Sequence, residues 1–163
     1  MEDNPGLKII RALRKDYKVA EDWVLFYDDH KKEYYTDSGY LHDGTQQAAG
    51  FGRSGTKNSY TEYRIIQLSV LDNNEKWLLA VEMTELTLSP RKITFLEARR
   101  NVAAKKCKTN WILSTQNKYA EEMAKKYGKS TELFWLSEKT VVSWWKEIVG
   151  TVRLIALKKN CIF

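Results

Sequence analysis

The sequence contains few residues that break or cross-link a chain: of 163 residues, eight are glycine, two are proline and two are cysteine. So little glycine and proline argues against long disordered tracts. The cysteines, Cys107 and Cys161, are far apart, fit no metal-binding spacing and are expected to be reduced thiols. No apolar run approaches the length of a membrane span, and the first residues lack the apolar segment of a secretion signal. We therefore expect an intracellular protein, cytoplasmic or nuclear, that is not secreted and has no membrane partner.

The length and the 43% hydrophobic content predict one domain with a core, spanning residues 1–163. The formal charge is +6, and much of the basic charge lies in two short segments, which favours a nucleic-acid partner. The residues expected to contact phosphates are Lys8, Arg11, Arg14, Lys15, Arg91, Lys92, Arg99, Arg100, Lys105 and Lys106.

Capping signals predict four helices. Asn4 and Ser89 each precede a proline, and such a pair is typical of a helix start. Ser137 has the same capping chemistry, and Gly128 and Gly150 are expected to end helices. The predicted helices are 5–18, 90–107, 117–127 and 138–149.

A strong β-hairpin is predicted from Glu62–Leu71 and Lys76–Glu85, joined by a turn at 72–74. Residues 38–60 are rich in small polar residues and are expected to form a loop. Shorter strands are predicted at 23–27, 33–36, 111–115 and 152–157. Together these elements predict an α/β fold, in which helices pack on one mixed sheet of about five strands.

Two short motifs resemble those of the ribonuclease H family. Residues 36–39, Thr-Asp-Ser-Gly, are similar to the motif that ends the family's first strand, and 50–52, Gly-Phe-Gly, to the following turn. Residues 112–116, Ile-Leu-Ser-Thr-Gln, are similar to a second motif. The resemblance implies a ribonuclease H-like core over 33–160.

The metal ligands of that family are mostly absent here. The resemblance places its first carboxylate at Asp37, and its second at Thr94 or, after a shift of one helical turn, at Glu97. The third falls on Gln116, which carries no charge, and residues 158–160 contain no acid. So few carboxylates cannot neutralise two Mg²⁺ or Mn²⁺ ions, so we expect no cofactor and no catalysis.

The preferred hypothesis is therefore a catalytically degenerate, ribonuclease H-like domain of viral or retroelement origin that binds nucleic acid. The family resemblance favours RNA or an RNA/DNA hybrid as the ligand. Trp135 and Trp144 are candidates for stacking on bases.

Two alternatives remain. The first is an active Mg²⁺- or Mn²⁺-dependent nuclease, using Asp37 and Glu97 in the same fold. A second form of the nuclease alternative uses Asp72 and Glu82, whose spacing resembles that of the acidic residues in PD-(D/E)xK and cap-snatching endonucleases. The other alternative is a module that binds a protein partner through the sheet or the tryptophan-rich helix.

Overall fold

The structure, a computed structural model, describes residues 5–42, 57–105 and 110–163. These residues form six α-helices and a short 3-10 helix at Thr131–Phe134, and none of them lies in a strand. The α-helices are α1 (Pro5–Leu25), α2 (Tyr27–His42), α3 (Lys57–Thr87), α4 (Pro90–Ala104), α5 (Trp111–Tyr127) and α6 (Glu138–Lys158). None of them is long and apolar enough to cross a membrane.

The predicted α/β fold with a mixed sheet is therefore wrong, and so is the ribonuclease H-like fold that depended on it. Both strands of the predicted hairpin, with the turn between them, lie within the 31 residues of α3. The four shorter strands also fall within or across helices: 23–27 at the α1–α2 junction, 33–36 in α2, 111–115 in α5 and 152–157 in α6.

The segment predicted as a turn is helical because other interactions stabilise it. Asp72 forms an ion pair of 2.6 Å with Lys76, one helical turn further on. Asn73 accepts a hydrogen bond of 2.7 Å from the backbone N–H of Ile162 near the end of the chain. In the next segment the buried residues are Trp77, Leu78, Ala80, Val81 and Thr84, which recur with the period of a helix.

The predicted helix starts are confirmed at two positions, and one predicted stop is confirmed. Ser89 and Ser137 accept hydrogen bonds from the backbone N–H groups of Lys92 and Thr140. Gly128 ends α5 in the left-handed conformation, with φ of 62°. Gly150 does not end a helix, because α6 continues through it to Lys158.

Helix α6 lies at the centre of the packing. One of its faces is buried along most of its length, and α1, α3 and α5 pack against it. Trp77 of α3 is fully buried, and its ring stacks on that of Trp23 of α1 with 5.8 Å between the ring centres. Helices α4 and α5 pack as a pair, and α2 packs along α3. The buried residues of α6 are Val141, Trp145, Ile148, Val149, Val152 and Ala156.

Candidate nucleic-acid interface

The predicted carboxylate ligands do not form a metal site in the described part of the chain. Asp37 is exposed on α2 and Glu97 is exposed on α4. Asp72 and Glu82 share α3, but ten residues of helix separate them by about 15 Å. Among the described residues, no three histidine, cysteine or acidic side chains lie close enough together to hold a metal ion. The nuclease expectation with Mg²⁺ or Mn²⁺ therefore receives no support.

Glu82 has a structural partner instead. Its carboxylate accepts hydrogen bonds from the Tyr27 hydroxyl at 2.5 Å and from the Lys31 ammonium at 3.1 Å. The hydrogen bond from Tyr27, with that from Lys31, holds the pKa of Glu82 below its usual value, although burial opposes this. Burial and the same carboxylate raise the pKa of Tyr27. This cluster joins α2 to α3.

Two positions of the predicted ribonuclease H motifs also have structural roles. Gln116 is buried, and its side-chain amide donates a 2.7 Å hydrogen bond to the carbonyl of Leu136, just before α6. Thr94 is buried, and its hydroxyl donates to the carbonyl of Pro90 at 3.1 Å. The glycine turn at 50–52 lies outside the described residues.

Three of the basic residues on α4 contact other residues of the protein. Lys92 forms an ion pair of 2.6 Å with Glu147 of α6. Arg100 donates to the Glu85 carboxylate at 2.6 Å and to the carbonyl of Val24 at 2.8 Å. The third is Arg99.

Arg99 is buried between two indole rings. Its guanidinium carbon lies 4.5 Å from the centre of the Trp111 ring and 5.1 Å from that of the Trp145 ring. Its Nε atom is buried and has no hydrogen-bond partner among the described residues. Burial lowers the pKa of this guanidinium, although Glu21 partly offsets the effect. Arg99 therefore links α4, α5 and α6 and does not face solvent.

The remaining predicted phosphate contacts lie on α4 and α1. Arg91 and Lys105 are exposed at the two ends of α4, and Lys106 lies outside the described residues. On α1, Arg11, Arg14 and Lys15 are exposed, whereas the side chain of Lys8 is not described. Arg14 also lines an open apolar groove of about 500 Å³ between α1 and α6, together with Ile10, Leu13, Tyr17, Lys18, Glu21 and Arg153.

A basic face on α6 was not predicted from the sequence. Lys139, Ser143 and Lys146 are exposed, and their spacing of four and then three residues places them on one side of the helix. This side lies opposite the buried Val141 and Trp145. We call Lys139, Ser143 and Lys146 the α6 face.

The lysines of the α6 face are available for a ligand. Neither Lys139 nor Lys146 forms an ion pair with any residue that the structure describes. Glu147, which follows Lys146, is already neutralised by Lys92. The helix start that carries Lys139 is fixed, because the hydroxyl of Ser137 accepts from the Thr140 N–H at 3.1 Å. The Ser137 cap and the period of the buried residues were the signals that could have identified this face.

The aromatic candidates beside α6 differ in exposure. Trp144 is partly buried, because the rings of Phe95 and Tyr119 pack edge-on against it and Lys92 lies 5.9 Å from its ring centre. Trp135 is half exposed before α6. It lines an open cleft of about 420 Å³ with Asn117, Ala120, Glu121, Thr131 and Glu132.

In comparisons with protein-family models, curated proteins and solved structures, nothing matched this chain.

Proposed function

We propose that this protein binds nucleic acid, specifically duplex DNA, through the α6 face. The proposal rests on one observation: two unpaired lysines and a hydroxyl lie on the same exposed side of the first half of a helix whose other side is fixed in the core. Lysine and serine side chains both contact phosphates and base edges. The +6 charge of the whole chain favours the same partner.

A helix of this kind suits DNA better than RNA. An α-helix with its side chains is about 10–12 Å wide, which matches the B-DNA major groove of about 12 Å. The major groove of an RNA duplex is too deep and narrow for side chains to read. The helical fold thus removes the reason for preferring RNA or an RNA/DNA hybrid, which came from the family resemblance.

The order of α5 and α6 also supports the proposal. In helix-turn-helix proteins, the second helix of a packed pair enters the major groove with its first residues against the bases. Here α6 packs on α5, and its first half carries the α6 face. The connection over 128–137 is longer than the usual turn of three or four residues.

The α6 face is a better candidate for the DNA contact than α4, because its lysines are not paired with carboxylates among the described residues. Lys92 and Arg100 of α4 would have to leave carboxylate partners before they could bind a phosphate. Lys139 and Lys146 have no such partner among the described residues, so they gain the full interaction with a phosphate.

The experiment measures the binding of a labelled mixed-sequence DNA duplex by fluorescence anisotropy at several salt concentrations. We expect wild-type affinity to fall steeply between about 50 and 200 mM salt. Lys139→Gln and Lys146→Gln should each weaken binding and reduce the slope of log K against log salt by about one. Lys32→Gln, which removes an exposed lysine from α2, is the matched control and should leave both quantities unchanged.

Three results would contradict the proposal: no binding to the duplex, equal loss with Lys32→Gln and with Lys146→Gln, or tighter binding to RNA or to an RNA/DNA hybrid than to DNA. Far-ultraviolet circular dichroism should show the same helix content for all variants, since the side chains of the three lysines form no hydrogen bond or ion pair among the described residues.

A further inference from the structure

The open groove of about 500 Å³ between α1 and α6 combines apolar residues with basic ones, and we call it the α1–α6 groove. Its apolar lining comes entirely from α1. Ile10 and Leu13 in this lining are 47% and 44% exposed, although both are large apolar residues. The apolar lining consists of Ile10, Leu13 and Tyr17, and the basic lining of Arg14, Lys18 and Arg153.

The residues of α1 that line the α1–α6 groove lie on a single side of this helix. They occupy positions 10, 13, 14, 17, 18 and 21, and steps of three and four residues place neighbours on one helical face. From Ile10 to Glu21 this face is about 16 Å long, which is about three helical turns. A single elongated partner can therefore cover all of these side chains from one direction.

The charge of the α1–α6 groove favours an acidic partner. Arg14, Lys18 and Arg153 form no ion pair with any residue that the structure describes. Arg153 is held in place, because its Nε atom is buried, and this atom has no hydrogen-bond partner among the described residues. Glu21, the one acidic residue of the lining, accepts a hydrogen bond of 2.8 Å from the indole N–H of Trp145. Three basic side chains against one acidic side chain attract carboxylates and repel a basic partner.

An acidic amphipathic helix fits the α1–α6 groove better than other anionic ligands do. The surface of a bilayer is flat and cannot enter between two helices, and the DNA backbone offers phosphates but little apolar surface for Ile10 and Leu13. A small molecule binds where most of its surface is enclosed, whereas this groove is open. A helix in a groove needs cover on one side only, with its apolar side chains at steps of three and four residues.

We infer that the α1–α6 groove is the docking site for an acidic amphipathic helix of a partner protein. The apolar side of that helix packs on the apolar lining, and its carboxylates pair with Arg14, Lys18 and Arg153. The α1–α6 groove shares no residue with the α6 face, so this docking does not depend on the proposed binding of DNA.

The probe is a fluorescently labelled synthetic peptide of about 14 residues, long enough to form a helix and to span the groove. Leucines at steps of three and four residues give it one apolar side, glutamates flank that side, and alanine fills the remaining positions. The control peptide has lysine in place of every glutamate. Fluorescence anisotropy with the full chain, without DNA, measures the dissociation constant of each peptide.

The acidic peptide should bind the wild-type chain, and the lysine peptide should not. Leu13→Gln removes part of the apolar lining and should raise the dissociation constant about tenfold. Lys18→Gln removes a charge at the edge of the groove and should raise it about threefold. Lys15→Gln is the matched control for Lys18→Gln, because Lys15 is an exposed lysine of the same helix that does not line the groove.

Binding of the acidic peptide that Leu13→Gln and Lys18→Gln weaken, and that Lys15→Gln leaves intact, supports the inference. A dissociation constant for the acidic peptide weaker than about 1 mM overturns it, and so does equal binding of the two peptides. Equal weakening by Lys15→Gln and Lys18→Gln also overturns it, because the peptide would then respond to the overall charge only. Binding to phosphatidylserine vesicles that Leu13→Gln abolishes, with no binding of the peptide, would show that a membrane is the partner instead. Circular dichroism checks that the variants stay folded.

Discussion

Arg99 shows how a basic residue can contribute to the core and not to a ligand site. Its guanidinium lies between the rings of Trp111 and Trp145, and its Nε atom has no hydrogen-bond partner in the part of the chain that the structure describes. Cation–π contacts that exclude water contribute about 2 kcal/mol or more. The unpaired Nε works against this gain, since a buried donor without a partner is costly.

We therefore expect Arg99→Ala to lower the free energy of unfolding by about 2–4 kcal/mol, because it removes both ring contacts and leaves a cavity. Arg99→Met should cost less, because it fills much of the space and removes the unpaired donor. Urea denaturation measures both. Lys105→Ala, at the exposed end of the same helix, is the control and should change stability by less than about 0.5 kcal/mol. Equal loss in Arg99→Ala and Lys105→Ala would refute this role.

Glu82 gives a prediction about pH. Its hydrogen bond from Tyr27, with the contact from Lys31, lowers its pKa in the folded chain. A carboxyl whose pKa is lower in the folded than in the unfolded state stabilises the fold above its unfolded pKa of about 4.3. That contribution disappears as the pH falls through the lower pKa of the folded state.

Glu82→Gln should therefore be less stable than wild type at neutral pH, and this difference should shrink as the pH falls below about 5. The side chain of Glu82 is 41% exposed, so water screens the pair and the difference should stay below about 1 kcal/mol. Denaturant unfolding at several pH values measures it, with Glu97→Gln as the exposed control. A difference that grew in acid would show that the charge of Glu82 does not stabilise the fold.

At the scale of helices, two glycines in similar open space have opposite roles. A Cβ atom added to either Gly128 or Gly150 would meet no atom within 4 Å. Gly128 has φ of 62°, whereas Gly150 lies inside α6 without a positive φ. Backbone conformation alone therefore decides the effect of a side chain at each position.

Gly150→Ala should raise the free energy of unfolding by about 0.5–1 kcal/mol, since alanine restricts the unfolded chain and favours the helix. Gly128→Ala should lower it by about 1 kcal/mol, because alanine is strained in the left-handed conformation. Thermal unfolding of the two variants side by side measures the difference. The same sign for both would contradict the helix boundaries described above.

Signals that depend on a few adjacent residues were predictable from the sequence. Ser89, Ser137 and Gly128 were assigned correctly because capping is a local interaction between a side chain or turn and the neighbouring backbone. Ser89 and Ser137 therefore predicted where α4 and α6 begin and that both segments are helices.

Residues 62–71 were predicted as a strand because Ile65, Ile66 and Val70 are β-branched. Intrinsic propensity is a weak guide that the rest of the fold can override. The turn predicted at 72–74 failed for a related reason. Asn73 is held by Ile162, a residue 89 positions further along the chain, and no local pattern reveals that contact.

The candidate site was only partly predictable for the same physical reason. Basic residues on α4 were identified, but the partners of Lys92 and Arg100 lie on other helices, at Glu147 and Glu85. Only the packed structure shows which cations are already neutralised. The sequence pattern indicated that Val141 and Trp145 are buried, and the α6 face lies on the opposite side of the same helix. That exposed side was not predicted as a candidate site.

At the scale of the whole molecule, two exposed basic surfaces are candidates for the proposed contact with DNA. One is the α6 face, and the other is the outer side of α1, where Arg11, Arg14 and Lys15 are exposed. Both could contribute to non-specific attraction, since a net charge of +6 acts over the whole surface. Only a helix that enters the groove can also read the bases.

The central claim is that the α6 face is the part of the protein that enters the duplex. It is tested most directly by titrating the isotope-labelled protein with duplex DNA and recording which backbone amide signals shift in the NMR spectrum. We expect the largest shifts between Ser137 and Glu147, with smaller ones on α1. Shifts confined to residues 11–18 of α1, or no shifts at saturating DNA, would contradict it.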